Sequence, residues 1–177
     1  GNSSLANLAG LEDMTRIVGD LRLEDNPVLR SLSALSGLVH LGEDFFMARN
    51  SSLESLIGLE QLESIEESLF IDEIGALVSL DGLSSLVSVG ETLRINGNGS
   101  LEVLAGAERL SSVGRDLLIV GNEALVDLDG LGSLSSVGRI LRITENPSLS
   151  TTSARAFADR LAAAGFNGLV EIEKNMK

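Results

Sequence analysis

Apolar residues recur along the chain with a fixed period of 24 residues. Each period starts at an asparagine or, once, at Ile74, and apolar residues follow at +3, +6, +9, +12, +15, +19 and +21. All of these positions are apolar in six copies, from Leu5 in the first copy to Ile143 in the last. A single copy cannot bury its own apolar side, so the pattern predicts a solenoid in which the copies stack as coils.

The two spacings within a copy predict two kinds of local structure. The apolar residues at +19 and +21 are two apart, which predicts a strand with one buried face. The six predicted strands lie near residues 20–24, 44–48, 68–72, 92–96, 116–120 and 140–144. They run in the same direction around the coil, so we expect one parallel sheet. The spacing of three predicts an arc of short extended or 3₁₀-like pieces.

The asparagine that begins a copy is predicted to have a structural role. A side-chain amide at the corner of a coil can hydrogen-bond to backbone groups of its own coil and of the adjacent one. We therefore predict a ladder along the solenoid that is formed by Asn26, Asn50, Asn98, Asn122 and Asn146. The alternative is a row of amides that binds a ligand. It is disfavoured because the backbone groups at the corners require hydrogen-bond partners. Ile74 has no amide, so we expect its corner to be bridged by water or shifted.

Glycine recurs at two fixed positions of the copies. One set follows the start of the copy by eight residues, at Gly10, Gly58, Gly82, Gly106 and Gly130. A second set precedes the strand, at Gly42, Gly90, Gly114 and Gly138. Repetition at a fixed phase predicts either a positive φ or a close approach between coils.

The template stops after Leu149, which divides the chain into a repeat region, 1–149, and a C-terminal cap, 150–177. Helical spacing of apolar residues predicts an amphipathic helix over 153–164, and Leu169, Val170 and Ile172 predict a last strand that extends the sheet. A helix that recruits a partner is the less favoured interpretation of this segment.

No cap precedes Asn2. We therefore expect the first coil to present edge-on leucines that are covered either by residues upstream of Gly1 or by another molecule, for example through end-to-end self-association. The residues concerned are Leu5, Leu8, Leu11, Leu21 and Leu23.

The segment from Leu93 to Leu101, LRINGNGSL, resembles the L-x-L-x-x-N-x-x-L core of the leucine-rich repeat superfamily. The surrounding template, as in LDGLSSLVSVGETLRINGNGSL, is most similar to the receptor L-domain-like repeats of bacterial surface proteins. This resemblance covers about residues 2–149. It implies a mostly β, right-handed α/β repeat solenoid, a role in protein recognition, and an extracellular or cell-envelope location.

Composition excludes several classes of function. The formal net charge is −13, which disfavours binding to nucleic acid and docking to anionic lipid. Cysteine is absent, so disulfides and thiolate metal sites are excluded. No apolar run approaches the ~20 residues that span a membrane, which disfavours direct membrane insertion.

The residues offer no catalytic machinery. His40 is the only histidine and falls at an outward phase, so we expect a solvent-exposed residue rather than a zinc ligand or a triad member. Phosphate-binding and dinucleotide-binding glycine motifs are absent from the sequence. We therefore expect a protein that is not an enzyme, without cofactor or metal.

Outward positions of the predicted sheet form columns across neighbouring strands. The column at +20 contains Arg22, Phe46, Phe70, Arg94, Leu118 and Arg142. Adjacent aromatics flanked by arginines are typical of a protein-binding surface, and we predict a protein ligand for this column. Cross-strand packing of the two phenylalanines without any partner remains open as an alternative. The corresponding alternative for the whole chain is a structural spacer in a longer protein.

Overall fold

The computed structural model describes residues 1–176 of the chain and contains short strands and one α-helix in a regular order. The elements are β1 (Arg16–Ile17), β2 (Leu21–Glu24), β3 (His40–Leu41), β4 (Phe45–Ala48), β5 (Ser64–Ile65), β6 (Leu69–Asp72), β7 (Ser88–Val89), β8 (Leu93–Asn96), β9 (Ser112–Val113), β10 (Asp116–Val120), β11 (Ser136–Val137), β12 (Ile140–Thr144), α1 (Thr151–Ala163) and β13 (Leu169–Glu173). Two 3₁₀ turns, Ser33–Leu35 and Asp129–Leu131, lie in the arcs.

The strands form two parallel sheets that confirm a β-solenoid. The larger sheet has the order β13-β12-β10-β8-β6-β4-β2, and neighbouring strands from β2 to β12 pair with an offset of one period, as in Leu69 with Leu93. The six predicted strands all lie in this sheet. A second sheet of two-residue strands, in the order β1-β3-β5-β7-β9-β11, was not predicted, because two residues are too few to show an alternating pattern.

The core consists of the apolar template residues of successive coils. Leucine, isoleucine and valine at these positions are almost completely buried in the inner coils, as are Phe45 and Met47. Each layer is roughly 4.8 Å from the next, so every core side chain packs against its own equivalent in the adjacent coils. A single continuous cluster results, which runs from Leu8 to Leu161.

The predicted asparagine ladder is present. The Nδ2 of Asn98 donates to the Ile71 carbonyl at 2.9 Å, and the backbone N–H of Asn98 donates to Oδ1 of Asn122 at 3.1 Å. The same contacts recur from Asn122 to Asn146, and Asn50 contacts Asn26 and the Leu23 carbonyl in this way. We call this set of contacts the amide ladder.

Ile74 interrupts the amide ladder without displacing the corner. Its side chain is fully buried, and its N–H still donates to Oδ1 of Asn98 at 2.9 Å. The expectation of a shifted corner is therefore wrong, because the backbone remains a donor whatever side chain it carries. An isoleucine at this site supplies neither an acceptor for the N–H of Asn50 nor a donor for the carbonyl of Met47.

The two sets of glycines meet different requirements. At the first, Gly58 has a φ of 113°, which favours glycine over any other residue, and a Cβ added there would also lie 2.2 Å from the carbonyl oxygen of Leu32. At the second, a Cβ added to Gly114 would lie 1.8 Å from the carbonyl oxygen of Gly90, so the coils approach too closely for a side chain. Both explanations offered by the sequence are thus confirmed, because Gly58 meets both requirements and Gly114 meets the close approach alone.

The C-terminal segment forms the predicted helix and strand. The helix α1 begins two residues earlier than predicted, because the side chain of Ser150 caps it by accepting from the N–H of Thr152 at 3.2 Å. Ala154, Phe157 and Leu161 pack on the preceding coil. The strand β13 pairs with β12 along its whole length.

Asn175 extends the amide ladder into the cap, although the ladder predicted from the sequence ended at Asn146. Its Oδ1 accepts from the N–H of Asn146 at 3.1 Å, and its Nδ2 donates to the Ile143 carbonyl at 2.8 Å. The helix lengthens this coil, so the interval between the asparagines is 29 residues rather than 24. The segment VEIEKN, 170–175, nevertheless repeats the strand-to-corner pattern of LRITEN, 141–146, which could have revealed it.

The first coil lies at the open edge of both sheets, as expected, but its leucines are less exposed than predicted. Leu8 and Leu23 are buried, whereas Leu5, Leu11 and Leu21 are half-buried. The second coil covers one side of each of these residues, which accounts for the difference. Val18 has the largest exposure of the apolar side chains, at 74%.

Candidate protein-binding face

The outward residues of β2, β4, β6 and β8 form one continuous stack. The rings of Phe46 and Phe70 lie 4.6 Å apart at their centroids and 11° from parallel. The guanidinium carbon of Arg22 lies 3.8 Å from the ring centroid of Phe46, and that of Arg94 lies 4.6 Å from the ring centroid of Phe70. The strand register places these four side chains side by side, because it aligns Arg22, Phe46, Phe70 and Arg94 across the sheet. We call this set of four side chains the aromatic stack.

Ion pairs hold both arginines of the aromatic stack in position. The Nε of Arg22 donates to Oδ2 of Asp20 at 3.1 Å, and the Nε of Arg94 donates to Oδ1 of Asp72 at 3.0 Å. The guanidinium of Arg22 also holds the pKa of Asp20 below its usual value. Each arginine is thus fixed between a carboxylate and a ring face, a favourable position for a cation.

The phenylalanines are half-buried, although both lie at outward positions of the sheet. Each ring has one face against the other ring and one face against a guanidinium. Only the ring edges that point away from the sheet remain accessible. A ligand would therefore contact the edges of a pre-ordered stack rather than insert between its members.

Leu118 and Arg142 continue the same column toward the C-terminal end. The register pairs Leu118 with Arg94 on one side and with Arg142 on the other. The guanidinium of Arg142 forms an ion pair with Glu171 of β13, which lowers the pKa of that carboxyl. All six residues predicted for the site are therefore brought together in one column.

Half-buried apolar residues lie beside Leu118, in the C-terminal half of the column. Val120 and Ile140 lie on the same face as Leu118 and are each half-buried. Their register places them two residues after Leu118 and two residues before Arg142, at outward positions of β10 and β12. The face thus consists of an aromatic half and an aliphatic half.

An acidic row lies along the start of the strands. Asp20 accepts from the N–H of Asp44 at 3.1 Å, and Asp44 accepts from the N–H of Ser68 at 2.9 Å, which gives these side chains a structural role. Partial desolvation raises the pKa of Glu67, and the neighbouring carboxylates of Asp44 and Glu43 raise it further. The aromatic half of the face is therefore bordered by negative charge.

His40 is half-buried rather than exposed. Its Nδ1 lies 2.9 Å from the hydroxyl of Ser64 in the next coil, a contact within the second sheet. Within residues 1–176, no group of three or more histidine, cysteine or carboxylate side chains is arranged to hold a metal ion. In the same part of the chain, no helix has the length and apolar character needed to cross a membrane.

Comparison of the chain with protein-family models, with curated proteins and with solved structures finds no match.

Proposed function

We propose that this domain is a non-catalytic protein-recognition module that binds its ligand across the outward face of the larger sheet. The observation that carries the proposal is the aromatic stack, in which two rings and two guanidinium groups are ordered before any ligand arrives. Pre-ordered aromatic and arginine side chains lose little conformational entropy on binding, which is why such residues dominate binding energy at interfaces.

The charges of the face favour a ligand with basic residues. Glu43, Asp44 and Glu67 border the aromatic half, and the whole chain carries a net charge of −13. A basic protein surface with an exposed apolar residue would place its cation toward the acidic row and its apolar group on the ring edges. Complementary charge of this kind raises association rates and selects among partners.

The pattern L-x-L-x-x-N and its regular recurrence support assignment of the chain to a bacterial, receptor L-domain-like branch of the leucine-rich repeats. With that assignment we also propose an extracellular or cell-envelope location. The stacked coils and the two parallel sheets are compatible with this assignment.

A structural spacer is the second candidate, and one observation favours it. The four members of the aromatic stack pack against one another, so the stack would stabilise the sheet even without a ligand. Under this alternative, loss of the rings lowers the melting temperature and changes no interaction.

A pull-down with three forms of the domain separates the two candidates. Phe46→Ala/Phe70→Ala removes the rings, and Ile57→Ala/Val78→Ala removes two exposed apolar side chains from the arcs, where their exposures are 57% and 49%. We expect a basic protein that is retained by the parent and by the arc variant and is lost with the ring variant. Equal retention by all three folded forms, or no retained protein, would favour the spacer.

A further inference from the structure

A groove lies between α1 and β13 at the C-terminal end of the solenoid. It has a volume of about 440 Å³. Its lining residues are Arg155, Ala158, Asp159 and Ala162 of the helix, and Val170 and Ile172 of the strand. We call this feature the C-terminal groove. It is separate from the aromatic stack, which lies on β2 to β8.

The strand β13 presents unused backbone groups along the C-terminal groove. The N–H of Leu169 donates to the Arg139 carbonyl, and the Glu173 carbonyl accepts from the N–H of Glu145, so these residues face β12. Backbone groups alternate in direction along a strand, and Val170 and Ile172 therefore face away from β12. Within residues 1–176, no strand pairs with these groups on the far side of β13, which leaves that edge able to accept an added strand.

The side chains of the C-terminal groove fit an apolar residue at every second position. Val170 is 44% exposed, whereas its equivalent in the preceding coil, Leu141, is fully buried by the next layer. Ile172 is likewise half-buried. The helix faces them with the small residues Ala158 and Ala162, which leave room for the side chains of another strand.

The charges on the outer face of β13 favour a basic residue between those apolar ones. Glu171 and Glu173 project from this face, Glu171 in an ion pair with Arg142 of β12, and β13 itself has no cationic residue within Leu169–Glu173. Two copies of β13 in antiparallel register about Glu171 would bring identical carboxylates into opposition, which is unfavourable. A strand with lysine or arginine beside Glu173, which forms no ion pair within residues 1–176, would instead gain a cross-strand ion pair.

We infer that the C-terminal groove binds an extended basic peptide segment that adds a strand to β13 and has alternating apolar and cationic residues. Backbone hydrogen bonds to Val170 and Ile172 would provide affinity. The apolar side chains would enter the groove beside Ala162, and the cationic side chains would face Glu171 and Glu173. This is the strand-addition mode of peptide recognition.

The test uses the fluorescently labelled peptide Thr-Val-Lys-Val-Lys-Val-Thr, with blocked ends, titrated with the folded domain and followed by anisotropy. Val170→Pro removes a free edge donor at a site where proline is tolerated, and Ala162→Trp fills the groove. Ala163→Trp, one exposed residue further along α1 and outside the groove lining, is the matched control. Circular dichroism establishes that all forms melt alike.

We expect saturable binding to the parent and to the Ala163→Trp control, with affinity at least about tenfold weaker for Val170→Pro and Ala162→Trp. A peptide with glutamate in place of lysine should not bind, and bound peptide should slow amide exchange at Val170 and Ile172. Absence of binding, equal affinity for all four proteins, or exchange protection elsewhere would overturn the inference. A dimer in sedimentation equilibrium that Val170→Pro abolishes would also overturn it, because the occupant would then be a second copy of the chain.

Discussion

At the scale of single residues, the side chains of the corner asparagines provide hydrogen-bond partners for buried backbone groups. The Oδ1 of Asn98 accepts from the N–H of Ile74. Its Nδ2 donates to the Ile71 carbonyl and to Oδ1 of Asn122. Five asparagines were predicted in this role from their period alone. Asn175 escaped prediction because the inserted helix changes the interval, although not the local pattern.

Removal of one corner amide should destabilise the solenoid strongly. Asn98→Ala leaves the buried N–H of Ile74 and the carbonyl of Ile71 without their side-chain partners, and each orphaned group costs roughly 1–3 kcal/mol. We expect the free energy of unfolding to fall by about 2–4 kcal/mol in urea denaturation. Asn96→Ala, at a half-buried outward position two residues earlier, should cost much less. Similar losses for both variants would contradict the structural role of the amide.

A second prediction concerns Asp116, whose carboxylate is almost buried and pairs with Arg139. The Nε of Arg139 donates to Oδ1 at 3.0 Å, and this interaction lowers the pKa of Asp116. The pKa of Asp116 is lower in the folded state than in the unfolded state, where it is about 3.9, so the ionised carboxylate stabilises the fold above that pH. This contribution disappears as the pH falls through the folded-state pKa. The melting temperature of Asp116→Asn should therefore lie below that of the parent at pH 7 and approach it below about pH 4.

Glu102→Gln is the control for this pH dependence. Glu102 is exposed, and its side chain forms no ion pair within residues 1–176. Its melting temperature should follow that of the parent throughout the titration. A difference between parent and Asp116→Asn that stays constant from pH 7 to pH 3 would show that the ion pair does not cause the effect.

At the scale of elements, the strands of the larger sheet could be predicted because their alternation is strong, whereas the two-residue strands of the second sheet could not. Their pairing depends on the next coil and leaves no pattern within Ser88–Val89 or Ser112–Val113 themselves. The sequence did reveal the glycines that precede the strands, but not which of two requirements each one meets. Backbone geometry was needed to show that Gly58 meets both requirements and Gly114 only the close approach.

Glycine at the close approach between coils should resist any substitution. A Cβ at residue 114 would lie 1.8 Å from the Gly90 carbonyl oxygen, so Gly114→Ala must separate the coils and weaken the sheet. We expect a loss of more than about 2 kcal/mol in unfolding free energy. Gly99→Ala, where a Cβ would have no neighbour within 4 Å, should change stability little. Calorimetry on both variants checks this, and an equal shift would refute the steric explanation.

At the scale of the whole molecule, the two ends of the solenoid differ in how their last layers are covered. The helix α1 covers one end, while β1 and β2 form the open edge at the other. Half-buried Leu5, Leu11 and Leu21 line that open edge. The helical spacing within 153–164 predicted the helix of the cap, but the sequence could not predict the C-terminal groove, which depends on the distance between α1 and β13.

We propose that the solenoid self-associates end to end through the edge formed by β1 and β2. Sedimentation equilibrium of the parent should show a concentration-dependent dimer, because pairing would bury leucines and unused strand groups of the first coil. Leu21→Lys, at the edge of the sheet, should shift the equilibrium to monomer while Val170→Pro leaves it unchanged. A strict monomer at high concentration would refute this proposal without affecting either peptide or protein recognition.

The central claim is that the outward face of the larger sheet is the surface that meets a protein ligand. Photo-cross-linking tests it without dependence on the stability of a variant. Benzoylphenylalanine is incorporated in place of half-buried Leu118 on the face or in place of Val126, which is 50% exposed in an arc. We predict a discrete adduct with the retained protein from position 118 and none from position 126. Adducts from position 126 alone, or equal adducts from both, would contradict the claim.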